Sequence, residues 1–416
     1  MITASHNPVG NNGIKLSADY GGQLLPEDGQ AISDNYPEVN LSTVKTMDYD
    51  RAVVHAGGII GKLGVDEDEE YIKSVIDLSQ DSRLTSWDRD TIGIIFDGLY
   101  GTARGFTPNV LTEIGYDVTE VEEHAVFDPN FTGLTVPNPT DPAALKLARE
   151  YADRAIGRKG SWRQLTGNET WTLITEYLLS RMKESGESLE GKTIVKSWVT
   201  TGLITRIAER FGVNVIETPV GFKWIGALGA NDPSIIAGFE ESNGATLLTH
   251  SREKDGVLTA ALFAEAVAYW NEQLNPGGET AVIMSNDADG DRLVVEVLED
   301  SVVIQQLENI RREYGEINNV VDNTTFEGPE GISQRDKIVS GLASNPPVML
   351  GAFKVSGIQT EIREVKDGVR IALEDGSTIT LRKSGTEPIL RIYVETEGNP
   401  ADIIAAIKNY IAGQLK

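Results

Sequence analysis

The chain has 416 residues, room for about three domains at roughly 150 residues each. Its 63 acidic against 37 basic side chains leave a formal net charge of −26, which argues against nucleic acid or an anionic membrane as a partner and requires a local basic or amide-lined island for any anionic substrate. The absence of cysteine excludes disulfides and thiolate chemistry and is compatible with a cytoplasmic setting, and no stretch approaches the ~18 apolar residues of a membrane span.

Residues 2–15, ITASHNPVGNNGIK, form a polar loop with no basic segment and apolar run of the signal-peptide kind. GGQLLPEDGQAI is a turn leading into a short helix, and VDEDEEYIKSVIDL predicts a helix entered at Asp66 with acids in its first turn. TIGIIFDGLYGTARGFTPNVLTEIGYDVTEV reads as strand, glycine-rich turn, helix and strand, a βαβ unit. TGNETWTLITEYLLSRMKES predicts a helix capped near Asn168 and ending before Gly186, and KTIVKSWVTTGLITRIAERFGVNVIETP repeats the βαβ plan. SIIAGFEESNG is a buried strand running into a polar turn, EKDGVLTAALFAEAVAYWNEQL a helix with an apolar stripe, and ETAVIMSNDADGDRLVVEVLED two strands around an acidic turn. From IQTEIREVKDG to RIYVETE the pattern alternates with period two between Asp-Gly turns, and PADIIAAIKNYIAGQL closes the chain as a helix. Mixed α/β units therefore come first and an α+β unit last.

Four loops carry chemistry. In the first, Pro8, Gly10 and Gly13 shape a turn that holds Ser5 outward with His6 and Lys15 nearby; an exposed serine is a natural phosphate carrier once activated. In NDADGDR, Asp287, Asp289 and Asp291 repel one another unless a cation sits between them, and such oxygen ligands suit Mg²⁺ or Ca²⁺. An EF-hand would need Gly and Glu where Arg292 and Leu298 stand, so that reading fails. GFEESNG places Glu240, Glu241 and Ser242 at a strand end, able to accept from vicinal sugar hydroxyls. RKSGTEP offers the Arg382 fork with Ser384, Gly385 and Thr386 as an anion-binding nest.

Together with LTGNET, PVGFKWIG, REKDG and FEGPEG, these stretches resemble the α-D-phosphohexomutase superfamily of phosphoglucomutases and phosphomannomutases, closest to the phosphoglucomutase branch. The resemblance implies an α/β fold of three mixed domains, the first truncated, and a C-terminal α+β domain around a central cleft. It divides the chain at 1–65, 66–187, 188–325 and 326–416. It implies Ser5 as the phosphoserine, Mg²⁺ held by Ser5, Asp287, Asp289 and Asp291, Lys15 as general base and acid, and His6 as its helper. Glu240 and Ser242 would read sugar hydroxyls, Lys223 would sit in the sugar loop, and Arg382, Ser384, Gly385 and Thr386 would clamp the non-reacting phosphate. Hexose 1,6-bisphosphate is the implied intermediate and activator, with mannose and pentose phosphates as other substrates of the class.

Two departures from the family pattern set further expectations. Only four residues precede Ser5, where the family has a long α/β portion, so the loop reads as the cut end of a longer protein with apolar surface left uncovered. The acid triplet, which the family carries shortly before LTGN, comes after it here, within the third unit. If its strand does not return to Ser5, a cation cannot bridge the two. The resulting expectation is weak or absent turnover, with a phosphosugar-binding remnant as the alternative.

Overall fold

The computed structural model describes residues 1–54, 64–78, 89–328, 330–384 and 388–415. The opening loop is closed by a bridge between Ile2 and Ile14 and by Lys15 N–H donating to the Met1 carbonyl at 2.9 Å. Helix α1 (Pro26–Asn35), the short helix of the sequence reading, buries no side chain and is followed by α2 (Tyr49–Val54). Ile2, Ile14 and Tyr36 are at least 70 % exposed. In α3 (Val65–Ile76) the acidic first turn is organised by Gly64 N–H, which donates to Glu67 Oε2 at 2.6 Å.

Strand β1 (Ile92–Asp97), α4 (Phe106–Glu113) and β2 (Asp117–Glu120) form the expected βαβ unit, the strands pairing in parallel from Gly93↔Asp117 to Phe96↔Glu120. After α5 (Lys146–Ala155) and β3 (Trp162–Gln164) comes α6 (Gly167–Glu184). Its cap is Thr166 rather than Asn168: Thr166 Oγ1 accepts from Glu169 N–H, and Glu169 Oε2 accepts from Thr166 N–H. This reciprocal pair satisfies two of the free donors at the helix start. The plan repeats as β4 (Thr193–Ser197), α7 (Leu203–Arg210) and β5 (Asn214–Thr218), followed by α8 (Phe222–Asn231) and the hairpin β6 (Ile235–Glu240) and β7 (Gly244–Leu247). These strands make one sheet in the order β5-β4-β6-β7. Helix α9 (Gly256–Leu274) buries every residue from Gly256 to Ala268. Over that stretch it is enclosed rather than striped, because it packs on α3, α4 and α6 as well as on strands of two sheets.

Strands β8 (Thr280–Asn286) and β9 (Leu293–Leu298) flank the acid triplet. The sequence sets them in the third unit, but β8 pairs in parallel with β1, from Ile92↔Thr280 to Asp97↔Ser285. The resulting sheet runs β2-β1-β8-β9-β3. The loop is late in the chain, but in space it is not displaced into the third unit. An apolar strand covered on both faces needs a place inside a sheet, and the edge of β1 supplies it.

Helix α10 (Val302–Tyr314) leads to β10 (Asn318–Thr325), α11 (Gly331–Ser344), β11 (Met349–Leu350), β12 (Phe353–Gln359), β13 (Gly368–Leu373), β14 (Thr378–Lys383), β15 (Ile389–Thr396) and α12 (Pro400–Gln414). The six strands form a sheet ordered β10-β15-β14-β13-β12-β11. Although β10 precedes the expected boundary at 326, it pairs with β15 along its whole length. One large core joins the first two sheets, and a second core fills the C-terminal unit. Among the described residues no helix is long and apolar enough to cross a membrane.

Candidate active site

Ser5 sits at the tip of the opening loop with φ of 50°, in the left-handed region. Its N–H donates to Thr3 Oγ1 at 2.9 Å, and the next turn is closed by Asn7 N–H donating to the Ala4 carbonyl at 3.0 Å. Held this way, Ser5 Oγ donates to Asp287 Oδ2 at 3.0 Å and lies 3.1 Å from His6 Nδ1. Thr3 Oγ1 donates to Asp289 Oδ2 at 3.0 Å, so a second hydroxyl ties the loop to the acids. The serine and the acid triplet, 282 positions apart in the chain, meet directly.

Cations surround the triplet. Lys15 Nζ lies 2.9 Å from Asp289 Oδ2 and 3.0 Å from Asp291 Oδ2, Lys254 Nζ 3.3 Å from Asp291 Oδ2, and Arg292 Nε 3.8 Å from both Asp287 and Asp291. Three cations thus face three carboxylates, in a chain whose formal net charge is −26. Burial, reinforced by Asp291 and Asp289, pushes the Asp287 carboxyl up to about 7. Burial acts the same way on Asp289, but the Lys15 ammonium and the Thr3 hydroxyl outweigh it and hold Asp289 below its usual value. Burial alone would lower Lys15; the two carboxylates more than reverse this and hold it firmly protonated. His6 is lowered by burial and by the Arg292 charge.

The three carboxylates place ligand oxygens within 4.8 Å of one another. Asp289 Oδ1 and Asp291 Oδ1 are buried with no hydrogen-bond partner. Unpaired buried carboxylate oxygens are costly, and oxygen donors in this arrangement suit a hard dication. The residues therefore fit Mg²⁺.

The sugar-loop candidates lie on the neighbouring sheet. Glu240 ends β6, and its Oε1 accepts from Gly221 N–H at 2.9 Å, at the start of the helix that carries Lys223. Burial pushes Glu240 up to about 7. The turn Glu241–Asn243, which includes Ser242, is pinned to the acid loop: Leu293 N–H donates to the Asn243 carbonyl at 3.0 Å, Asn243 Nδ2 donates back to the Leu293 carbonyl at 3.1 Å, and Gly244 bridges to Arg292. These bonds bring Glu240, Ser242 and the triplet to one seam.

Arg382 is not part of that seam among the described hydrogen bonds. Its Nε and Nη2 donate to Asp367 at 2.9 and 2.8 Å, and Asp367 also accepts from Val220 N–H at 3.0 Å, next to the sugar loop. The Ser384 carbonyl accepts from Arg335 Nη1 at 2.5 Å. Gly385 and Thr386 lie outside the described residues. Thr3, Lys254 and Arg292 join the site without having been singled out. The signal for Lys254 was in REKDG, facing Gly244, where any Cβ would overlap the lysine stem.

The chain matches four family models in order: phosphoglucomutase/phosphomannomutase alpha/beta/alpha domain I over residues 1–42, domain II over 69–159, domain III over 166–279, and the C-terminal domain over 340–414. The acid triplet falls between the last two matches. A phosphomannomutase of Mycoplasmoides pirum is 28 % identical over 442 residues, covering 100 % of this chain and 73 % of that protein. A phosphoglucomutase of Staphylococcus saprophyticus is 29 % identical over 447 residues, covering 97 % and 74 %. Among solved structures, a putative phosphomannomutase from Thermus thermophilus superposes with a TM-score of 0.64 at 22 % identity, over 98 % of this chain and 76 % of that one. The open form of Paramecium parafusin, a phosphoglucomutase, gives 0.66 at 17 %, over 99 % and 76 %.

Proposed function

The chain belongs to the α-D-phosphohexomutase superfamily, and from that premise we propose that it interconverts hexose 1-phosphate and hexose 6-phosphate through a phosphoserine at Ser5. It is a phosphohexomutase, an isomerase by reaction class. The observation that carries the proposed route is the 3.0 Å approach of Ser5 Oγ to Asp287. The expectation of weak turnover rested on the short stretch before Ser5 and on a separation between serine and acids; that separation is not found, and the remnant reading is not favoured.

In the first half-reaction the bond from phosphorus to Ser5 Oγ breaks and a bond to a sugar hydroxyl oxygen forms, giving hexose 1,6-bisphosphate. The sugar turns over, and its other phosphate returns to Ser5. Lys15, whose Nζ lies 2.9 Å from Asp289 and 3.0 Å from Asp291, would act as the base and acid for the sugar hydroxyl. His6, whose Nδ1 lies 3.1 Å from Ser5 Oγ, would help move that proton. Asp287, Asp289 and Asp291 would hold Mg²⁺, which when bound offsets phosphoryl charge. Glu240, Ser242 and Lys223 orient the sugar, and Arg382, with the Ser384–Thr386 segment, grips the phosphate that is not reacting. The resemblance to the phosphoglucomutase branch favours glucose phosphates.

A coupled assay with glucose 1-phosphate, Mg²⁺ and a trace of glucose 1,6-bisphosphate, run beside Ser5→Ala and beside mannose 1-phosphate, tests this. Turnover by the wild type, none by Ser5→Ala, and an intact mass carrying one phosphoryl group only when Ser5 is present are the expected results. Full turnover by Ser5→Ala would overturn the route.

A further inference from the structure

The loop after β1 is built against its own preferences. Leu99 and Tyr100, both buried, adopt φ of 46° and 62°, a left-handed pair of bulky residues that persists only where surroundings enforce it. Arg104 Nη1 donates to the Tyr100 and Gly101 carbonyls, and a further enforcing group is His124, outside the site described above. Its Nδ1 lies 2.8 and 3.0 Å from the two carboxylate oxygens of Asp97, so this nitrogen carries the proton and donates. Asp97 Oδ1 in turn accepts from Leu99 N–H at 3.0 Å, and the His124 carbonyl accepts from Tyr100 N–H at 3.0 Å. The Tyr100 ring packs 4.8 Å from the imidazole. Asp97 is 0 % and His124 3 % exposed, so water does not compete for these bonds.

The strained pair delivers the next two residues to the acid loop. Thr102 N–H donates to the Ala288 carbonyl at 3.0 Å. Gly101 lies so close that a Cβ there would stand 2.7 Å from Ala288 Cα. Ala288 separates Asp287 from Asp289, and Ser285 Oγ, two residues before Asp287, donates to the Asp97 carbonyl at 2.7 Å. The geometry points to His124 as a positioning residue for cation binding: through Asp97 and the left-handed pair it seats Gly101 and Thr102 against Ala288 and so sets the spacing of Asp287 and Asp289. This role rests on reading the triplet as the cation site.

The test is Mn²⁺ binding to the full chain by titration calorimetry, without substrate, with the thermal midpoint of each variant recorded. His124→Phe keeps a ring under Tyr100 but loses the donor, and is expected to weaken Mn²⁺ roughly 10- to 100-fold, as loss of a group supporting metal ligands does. His124→Asn, with an amide N–H in place of Nδ1–H, recovers most of that affinity. Gly101→Ala, which pushes Ala288 directly and leaves Asp97 and His124 intact, shows the same loss. The KM for hexose phosphate at saturating metal stays within about twofold, which general loosening of the fold would not allow. Wild-type Mn²⁺ affinity in folded His124→Phe, or in Gly101→Ala should His124→Phe not fold, overturns the inference. Unchanged Mn²⁺ binding in Asp287→Ala with Asp289→Ala would instead overturn the reading of the triplet.

Discussion

Glu240 carries an energetic load that the sequence does not display. It is 4 % exposed, and burial raises its carboxyl from the ordinary 4.5 to about 7, a difference of about 3 kcal/mol between protonation states. The folded chain therefore holds this proton more tightly than the unfolded chain. Stability is undiminished below about pH 4.5 and falls as the pH rises to 7, where the buried group ionises. Glu240→Gln removes that loss, so its thermal midpoint, followed by calorimetry, is expected to match the wild type near pH 4.5 and exceed it at pH 8, while KM for hexose phosphate rises. At this scale the acids, Ser5, His6 and Lys15 were legible as chemistry, because carboxylate triplets and tight polar turns are written in adjacent residues. The pairing of Lys15 with Asp289 and Asp291 was not, because those carboxylates lie far along the chain.

The start of α6 illustrates what an element contributes. Gly167 lies against the turn Glu241–Asn243; a Cβ there would overlap the Glu241 carbonyl oxygen and come within 3.0 Å of Asn243 N. Helix propensity alone favours alanine at such a site by ~1 kcal/mol, but the clash falls on backbone and costs about 1–3 kcal/mol. Gly167→Ala is therefore expected to lower the denaturant midpoint and to raise KM by shifting Glu240 and Ser242, measured by urea unfolding and steady-state kinetics. The period of the apolar residues made α6, the β4–α7–β5 unit and the β8–β9 hairpin readable in advance. The pairing of β8 with β1 was not readable, because parallel strands 188 residues apart share no local signal and are brought together only by burial.

Over the whole molecule, Asp367 joins the C-terminal unit to the α/β body. Its carboxylate accepts from Arg382 through Nε and Nη2, from Trp198 Nε1 at 3.0 Å and from Val220 N–H at 3.0 Å. Beside it Arg370 pairs with Glu217 at 2.8 Å, and Trp198, Val199, Ile362 and Tyr393 make a small apolar contact across the same seam. Removing one partner of a largely buried ion pair strands the other. Asp367→Ala is expected to raise KM for hexose phosphate roughly tenfold, or about 1.4 kcal/mol, with a smaller change in kcat, because Arg382 and the loop at Val220, the proposed phosphate and sugar contacts, lose a shared anchor. Substrate titration against the wild type checks this, and an unchanged KM would separate the two elements.

The acidic triplet, the turn chemistry around Ser5, the βαβ units and the excess of negative charge follow from the sequence alone, since each depends on neighbours within a turn or on simple counts. The meeting of Ser5 with Asp287, the basic ring around the acids and the seating of the acid loop on Gly101 were decided by the tertiary structure. These contacts are set by which sheet edge can bury an apolar strand, and that is a property of the folded surface rather than of any local run of residues.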